Sequence, residues 1–277
     1  MNRVPRFQLH QPGQVDEALS VLARWEGSAS VLMGGTELLP LMKLGLASVD
    51  HLVDCRGLTD DLRMEAGELV IGSGVTHRRL EKDATVGSAL PALGDMEKSL
   101  ANVRVRNVGT IGGNICFAEP RSDPATLLVA LDASVTLASA RDRRAVGLED
   151  FYLGPFSTVL APTELLTEIR VPLPTAGDEV GFRRVAIGER PAANVAFKIG
   201  AGGVRIAVGA VGLQVTRARQ AEQILAEGGQ DAVARASEVA ATEVETVSDV
   251  DGSDSYKRHL VEVLLRRSLT SVYERSP

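Results

Sequence analysis

Ser30-Val31-Leu32-Met33 leads into Gly34-Gly35-Thr36-Glu37, and this junction decides how the chain is expected to begin its fold. The apolar run predicts a β-strand, and the residues after it predict a helix that is capped by Thr36 and ends near Gly45. The next apolar run, His51-Leu52-Val53-Asp54, predicts a second strand. Because a helix that joins two strands of one sheet is a crossover connection, the sequence predicts a parallel β-loop-α-β unit.

A second glycine-rich segment, Thr110-Ile111-Gly112-Gly113-Asn114, follows Val108-Gly109 further along the chain. Residues without a Cβ atom let a backbone approach a pyrophosphate closely, and successive backbone N–H groups can surround an anion. A helix that starts at such a segment also attracts negative charge to its N-terminus. Two segments of this kind predict a clamp on both sides of a diphosphate. We expect valine in place of Gly112 or Gly113 to block the approach and to lower ligand occupancy.

Each Gly-Gly pair also has a plainer interpretation as a tight turn. Neither segment matches G-x-G-x-x-G or G-x-x-x-x-G-K-[ST], so the residues that define Rossmann and P-loop nucleotide sites are missing. From residue spacing alone, a nucleotide diphosphate site and a pair of turns both stay open.

The middle of the chain predicts a second sheet together with helices. Short β-favouring runs lie at residues 68–73 and 134–138, and residues 165–173 predict another strand. Helices are predicted at about residues 88–101 and 123–131. These elements indicate an α+β fold and not a single parallel sheet.

A domain boundary is predicted near residue 175, where the sequence becomes polar and contains glycine. Beyond it, residues 204–208 alternate as a half-buried strand does, and two or three helices follow. The last of these helices is predicted to start at about Ser253. We therefore expect a first domain over residues 1–175, in two lobes of about 1–57 and 58–175, and a smaller domain over residues 176–277.

Composition and charge limit the possible partners. The chain has 277 residues, 44% of them hydrophobic, and a formal net charge of −6 with acidic and basic residues mixed along it. No basic face is apparent, so a nucleic-acid partner is not expected. The N-terminus does not resemble a signal peptide, and Asp132 interrupts the most apolar region, residues 127–140. We predict a cytoplasmic protein without a transmembrane segment.

The cysteines and histidines do not predict a metal site or a catalytic nucleophile. Cys55 and Cys116 are too far apart to form a C-x-x-C pair, and a buried apolar role is expected for both. The four histidines lack metal-ligand spacing. His77 is expected to be an exposed residue that opens a short helix starting at Thr76.

Read as whole motifs, the two glycine-rich segments resemble the paired FAD-binding loops of molybdenum hydroxylase flavoprotein subunits. The resemblance is strongest to the medium subunit of carbon monoxide dehydrogenase-like enzymes and weaker to the flavin domain of xanthine dehydrogenase. It spans nearly the whole chain and continues, in order, through residues 51–54, 71–76, 122–123, 130–133 and 164–172.

This resemblance implies a fold of the p-cresol methylhydroxylase type, in which two α/β lobes hold an extended FAD ahead of a C-terminal domain with a short antiparallel sheet and helices. It also implies that residues 33–37 (Met33, Gly34, Gly35, Thr36 and Glu37) and 110–114 (Thr110, Ile111, Gly112, Gly113 and Asn114) hold the diphosphate, mainly through backbone N–H groups. Asp123 would contact the nucleotide end of FAD, and Leu166 would contact the cofactor. From the residues alone, Asp123 is instead a helix N-cap ahead of Pro124, and one carboxylate can do both.

Three residues depart from the family pattern. Arg184 stands where relatives often carry Lys, in a stretch that lies near the flavin ring in this family, and Arg184 is accordingly a predicted cofactor contact. Arg121 occupies a loop position where a smaller residue is expected, and Met33 replaces the commoner Ala. The ring contacts are therefore the least determined part of the predicted site.

The resemblance implies an electron-transfer subunit of an oxidoreductase. A molybdopterin-containing large subunit would oxidise the substrate, an iron–sulfur small subunit would pass electrons to the FAD of this chain, and an external acceptor would receive them. The assembly would be a dimer of heterotrimers, and no residue of this chain is predicted to be catalytic. A stand-alone flavoprotein oxidoreductase and a non-catalytic nucleotide-binding subunit are the alternatives.

Overall fold

A three-stranded parallel sheet forms the N-terminal part of the computed structural model, which describes residues 5–188 and 190–275. The order in the sheet is β1-β3-β2, and the strands are β1 (Gln8–His10), β2 (Ala29–Leu32) and β3 (His51–Asp54). Helix α1 (Val15–Arg24) buries Ala18, Leu19 and Leu22 against this sheet, and α2 (Leu38–Leu44) connects β2 to β3. The predicted parallel unit is confirmed by the pairing of β2 with β3.

The two ends of α2 differ in how well they were predicted. Gly45 ends the helix in the left-handed conformation at φ 74°, as expected for a glycine C-cap. The predicted N-cap at Thr36 is wrong, because the structure places Glu37 at that position without a side-chain hydrogen bond to the helix. The start of α2 therefore keeps free N–H groups that a threonine cap would have used.

A five-stranded antiparallel sheet confirms the predicted second sheet. Its order is β4-β5-β10-β6-β7, and a small hairpin of β8 and β9 lies beside it. The strands are β4 (Leu62–Glu65), β5 (Glu68–Gly72), β6 (Ser134–Ala138), β7 (Arg143–Gly147), β8 (Tyr152–Gly154), β9 (Ser157–Thr158) and β10 (Leu165–Pro172).

Seven helices lie between the strands of this sheet in the described part of the chain. They are α3 (His77–Lys82), α4 (Ala84–Ala89), α5 (Pro91–Ser99), α6 (Val103–Val108), α7 (Ile111–Phe117), α8 (Asp123–Ala130) and α9 (Leu148–Phe151). The helices predicted near residues 88–101 and 123–131 correspond to α5 and α8. Helices α6 and α7 were not predicted, because the glycine-rich segment around residue 112 has the composition of a loop.

The C-terminal part is a four-stranded antiparallel sheet covered by helices. Its strands are β11 (Glu179–Ile187), β12 (Arg190–Gly200), β13 (Gly203–Gly209) and β14 (Thr216–Arg217), in that order across the sheet. The helices are α10 (Arg219–Gly228), α11 (Val233–Glu243) and α12 (Asp254–Arg275), with a 3-10 turn at Gly229–Ala232. The predicted short antiparallel sheet followed by helices is confirmed, and residue 175 lies in the connection between β10 and β11.

Helix α8 joins the two parts of the molecule, because all eight of its residues are buried. Leu127 and Leu128 belong to one hydrophobic core with strands of the five-stranded sheet and with Ala196 and Ala207 of β12 and β13. A helix that is apolar on all sides needs neighbours on all sides. This packing brings residues of the C-terminal sheet, above all Asn194, against the start of α8.

Candidate functional site

A cleft of about 570 Å³ opens between the three-stranded sheet and the helices that precede β6. This volume is within the range of sites for organic ligands and cofactors. Most of the predicted site residues line it: Met33, Gly34, Gly35, Thr36, Glu37, Thr110, Gly112, Gly113, Asn114, Asp123 and Leu166. The two exceptions are Ile111, which is fully buried in the core, and Arg184, which lies behind Asp123.

The two glycine-rich segments touch each other at Gly34. A Cβ atom on Gly34 would lie 2.2 Å from the carbonyl oxygen of Val108 and 2.7 Å from the Cα atom of Gly109. Such distances overlap backbone atoms, which cannot turn aside as a side chain can. Glycine at this position therefore lets the first segment pack directly on the residues that precede the second.

The first segment supplies free backbone donors to the cleft. Among the described residues, no hydrogen bond uses the backbone N–H of Gly34, Gly35, Thr36 or Glu37. Gly35 has φ +68°, a conformation that favours glycine. Successive unpaired N–H groups around such a turn form an anion-binding concavity. The residues present thus suit a phosphate group at this point.

The second segment differs from the predicted loop. Thr110 is the N-cap of α7, and its hydroxyl oxygen accepts a hydrogen bond from the N–H of Gly113 at 3.1 Å. The N–H groups of Ile111 and Gly112 donate to the carbonyl oxygens of Val75 and Ser73, each at 3.0 Å.

The N–H of Asn114 in turn donates to the carbonyl of Thr110, also at 3.0 Å. These four backbone N–H groups are therefore occupied by acceptors of the protein. What the segment offers a ligand is its side chains, because the hydroxyl hydrogen of Thr110 and the amide of Asn114 stay available.

Ser122 orients Asn114 and was missed from the sequence. Its hydroxyl donates to Oδ1 of Asn114 at 2.6 Å, and the same oxygen atom of Ser122 accepts from the N–H of Ala125 at 3.1 Å. Ser122 is therefore the N-cap of α8, and the interpretation of Asp123 as that cap is wrong by one residue. A serine two residues ahead of Pro124 was the signal available in the sequence.

Asp123 is buried at the wall of the cleft, with 1% of its side chain exposed. Its Oδ2 atom lies 2.5 Å from Nη1 of Arg184, and its Oδ1 atom accepts a hydrogen bond from Nδ2 of Asn194 at 2.7 Å. Asn194 in turn accepts a hydrogen bond from the hydroxyl of Thr126 at 2.8 Å. Burial raises the pKa of the Asp123 carboxyl, and Asn194 and Arg184 offset part of this rise.

Arg184 pairs with Asp123 and is not among the residues that line the cleft. Its second guanidinium nitrogen, Nη2, donates to the carbonyl oxygen of Ser99 at 2.5 Å. The guanidinium therefore bridges β11, the end of α5 and the start of α8. Arg184 is not among the residues that line the cleft, and its predicted direct contact with the cofactor stays a prediction.

Arg121 and Arg190 lie at the rim of the cleft and share Glu119. Glu119 is 3.1 Å from Arg121 and 2.9 Å from Arg190, and Arg121 also pairs with Asp251 at 2.8 Å. The unexpected arginine at position 121 thus connects the cleft to the loop ahead of α12. Burial raises the pKa of the nearby Glu37 carboxyl, while Arg190 lowers it.

His77 is buried and not exposed as predicted. Thr76 does cap α3, accepting a hydrogen bond from the N–H of Arg79 at 3.2 Å, so the predicted helix start is confirmed. The ring of His77 lines the cleft and its Nδ1 atom is 3.0 Å from a carboxylate oxygen of Glu97. The sequence did not indicate this burial, because Glu97 lies on a different helix, α5, and meets His77 only when the two helices pack together.

The cysteines take different positions. Cys55 is fully buried and fits the predicted apolar role, whereas Cys116 is half-buried and lines the cleft. Burial raises the pKa of each thiol to about 12. Both side chains are therefore neutral thiols at physiological pH, and neither has the thiolate character that nucleophilic chemistry needs.

Comparison with known proteins identifies the family to which this chain belongs. Residues 5–174 match the family model described as the FAD binding domain in molybdopterin dehydrogenase, and residues 191–272 match the CO dehydrogenase flavoprotein C-terminal domain. The chain is an FAD-binding subunit of the molybdenum hydroxylase family. The resemblance stated from the sequence motifs is confirmed, and so are the α+β fold and FAD as the cofactor.

Relatives of this flavoprotein subunit extend over its whole length. It is 31% identical to the carbon monoxide dehydrogenase medium chain of Hydrogenophaga pseudoflava, with 98% of each chain covered. It is 29% identical to the nicotine 6-hydroxylase medium subunit of Paenarthrobacter nicotinovorans, covering 99% of this chain and 100% of the relative. Among solved structures, carbon monoxide dehydrogenase from H. pseudoflava superposes with a TM-score of 0.93 at 32% identity, with 99% of each chain covered.

The structure predicts different effects for valine at Gly112 and at Gly113, whereas the sequence alone predicts the same effect for both. A Cβ atom on Gly112 would lie 2.4 Å from Cβ of Ser73, whereas one on Gly113 would meet only the Thr110 hydroxyl, at 3.0 Å. We expect Gly113→Val to weaken FAD binding at least about tenfold, or about 1.4 kcal/mol, without a large change in Tm. We expect Gly112→Val to lower Tm as well, because it displaces α7 from Ser73.

Fluorescence titration with FAD and thermal unfolding of the apoprotein measure the two effects. An unchanged FAD affinity in Gly113→Val would mean that this position is a helix turn without contact to the cofactor. Equal losses of Tm in both variants would contradict the assignment of Gly112 to internal packing.

Proposed function

We propose that this chain is the electron-transfer subunit of a molybdopterin-dependent dehydrogenase, taking electrons from an iron–sulfur subunit and passing them to an external acceptor. The observation that supports this most directly is the cleft at which the free N–H groups of residues 34–37 and the α7 side chains meet. When bound there, FAD supplies the redox chemistry, and the protein supplies position and electrostatics.

Different residues would bind different parts of the FAD molecule. The N–H groups of residues 34–37 would hold the diphosphate, with the Thr110 hydroxyl and the Asn114 amide as further donors. Asp123, fixed by Arg184 and Asn194, would accept a hydrogen bond at the nucleotide end of the cofactor. Leu166, on β10 and 2% exposed, would cover the cofactor and exclude water. None of these side chains is required to transfer a proton to a substrate.

The proposed assembly is a dimer of heterotrimers. An iron–sulfur small subunit and a molybdopterin large subunit would be the partners, and the large subunit would determine the substrate. Relatives named as medium chains or medium subunits support this arrangement. We further propose a division of the chain into residues 1–175 and 176–277. No helix in the described ranges is long and apolar enough to cross a membrane, and a cytoplasmic location stays a prediction.

Isolation of the complex from its source organism tests this proposal. We expect the affinity-tagged full chain to carry FAD and to co-purify with one chain that contains iron–sulfur clusters and one that contains molybdopterin. Bleaching of the flavin absorbance by a substrate should require both partners, because this chain would not meet the substrate itself.

Two outcomes would contradict the proposal. A yellow chain that is isolated alone and reduces a dye with a small substrate would be a stand-alone flavoprotein oxidoreductase. A colourless chain that still binds its partners would be a non-catalytic subunit.

A further inference from the structure

His77 and Glu97 form a buried pair at the wall of the cleft. The side chains are 4% and 0% exposed, and Nδ1 of His77 lies 3.0 and 3.2 Å from the two carboxylate oxygens of Glu97. A carboxylate can only accept, so Nδ1 is the donor in this pair. Among the described residues, Glu97 has no second side-chain partner, and its charge depends on this histidine for compensation.

The other ring nitrogen of His77, Nε2, is not used by the pair with Glu97. Nε2 makes no hydrogen bond to a described residue, and the ring lines the cleft. The pair is neutral as a whole when the imidazole ring carries both of its N–H hydrogens, because the charges of His77 and Glu97 then cancel. In that form Nε2 carries a hydrogen atom and is a charge-assisted donor.

The ring lies at the junction of the two glycine-rich segments. The backbone N–H of His77 donates to the carbonyl of Gly109 at 3.0 Å, and the ring atom Cδ2 is 3.3 Å from the position that a Cβ atom on Gly109 would take. The hydroxyl of Thr36 is 3.5 Å from the same position, and Gly34 packs on Gly109 from the other segment. The His77 ring therefore lies beside the segment that carries the free N–H groups of residues 34–37.

We propose that His77, held by Glu97, binds the diphosphate of FAD by donating the Nε2 hydrogen to an anionic oxygen. This inference rests on the proposed assignment of the diphosphate to residues 34–37. The glycine-rich segments contribute only neutral donors, whereas the two arginines at the rim are already paired with carboxylates. A protonated His77 ring would add a charge-assisted donor to these neutral ones.

One variant leaves no buried charge alone, and a second removes only the charge of Glu97. The double variant His77→Phe/Glu97→Leu removes both partners and keeps the site apolar, which avoids the cost of an unpaired carboxylate. Glu97→Gln keeps the histidine but removes the charge that stabilises the imidazolium. His259→Phe, on the exposed face of α12, is the matched control.

Affinities for FAD and for riboflavin, measured by fluorescence titration of the full-length apoprotein, test the inference. We expect the double variant to bind FAD about ten- to a hundredfold more weakly than the wild type, and Glu97→Gln to fall between them. Riboflavin has no phosphate, so its affinity should not change in any variant. The 31P resonances of bound FAD should move in Glu97→Gln and not in His259→Phe.

An FAD affinity within about twofold of the wild type in the double variant would overturn the inference. Equal losses for FAD and riboflavin would do the same, because His77 would then only shape the cleft. If the double variant does not fold, an unchanged ratio of the two affinities together with unmoved 31P resonances in Glu97→Gln overturns it. Failure of the wild-type chain to bind FAD would instead refute the proposed function.

Discussion

Gly34→Ala is expected to disrupt FAD binding and lower Tm by roughly 3 to 10 °C, because it separates the two glycine-rich segments. The added methyl group would lie 2.2 Å from the carbonyl oxygen of Val108, an atom that only a backbone shift can move. That shift would move the free N–H groups of residues 34–37 away from Thr110 and Asn114. FAD affinity should fall by at least about tenfold.

Gly87→Ala is the matched control for this substitution. Gly87 is an exposed residue inside α4, and a Cβ atom there would meet nothing within 4 Å. Alanine favours the helix over glycine, so Tm should stay the same or rise and FAD affinity should not change. Wild-type FAD affinity in Gly34→Ala would show that contact between the two segments is not needed for the site.

Asp123→Ala is expected to destabilise the fold by about 3 to 5 kcal/mol, because it leaves the buried Asn194 amide without its acceptor and the Arg184 guanidinium without its counter-charge. Arg184 has 18% of its side chain exposed, and Asn194 is fully buried. Both were positioned by the carboxylate, so the contact between α8 and the C-terminal sheet should loosen. Chemical denaturation, followed by circular dichroism, measures the free energy of unfolding.

The exposed pair of Asp95 and Lys98 provides the comparison. Its side chains are 71% and 60% exposed and 2.6 Å apart, so Asp95→Ala should change the stability little. A loss in Asp123→Ala as small as in Asp95→Ala would contradict the role of Asp123 in joining the two parts of the molecule. FAD affinity measured on the folded fraction then reports whether Asp123 also contacts the cofactor.

The site residues that were predicted from the sequence can be recognised from their immediate neighbours in the chain. Gly34, Gly35, Gly112 and Gly113 stand out in the sequence because glycine lets a backbone approach a ligand closely, and because the motifs around them resemble paired FAD-binding loops. Ser122 and His77 lacked such a signal. Ser122 was visible as a helix cap but not as the partner of Asn114, and His77 gave no indication of its burial beside Glu97.

The position of Arg184 in the sequence does not indicate where its side chain lies in the folded protein. The sequence placed it in the stretch expected near the flavin ring, and the strand pairing does place Arg184 opposite Asn194. Its side chain nevertheless extends to Ser99 and Asp123, which are 85 and 61 residues away in the chain. Neither distance can be read from residue spacing.

The sequence by itself determined the parallel unit around Gly34, the second sheet, the C-terminal sheet with its helices, and membership of the FAD-binding family. Periodicity, turn residues and the order of motifs are local properties, and a chain displays them before it folds. Only the tertiary structure decided which donors face the cleft. The N–H groups of residues 111–114 are occupied within the protein while those of residues 34–37 are free, because packing against Val75 and Ser73 assigns the hydrogen bonds of α7.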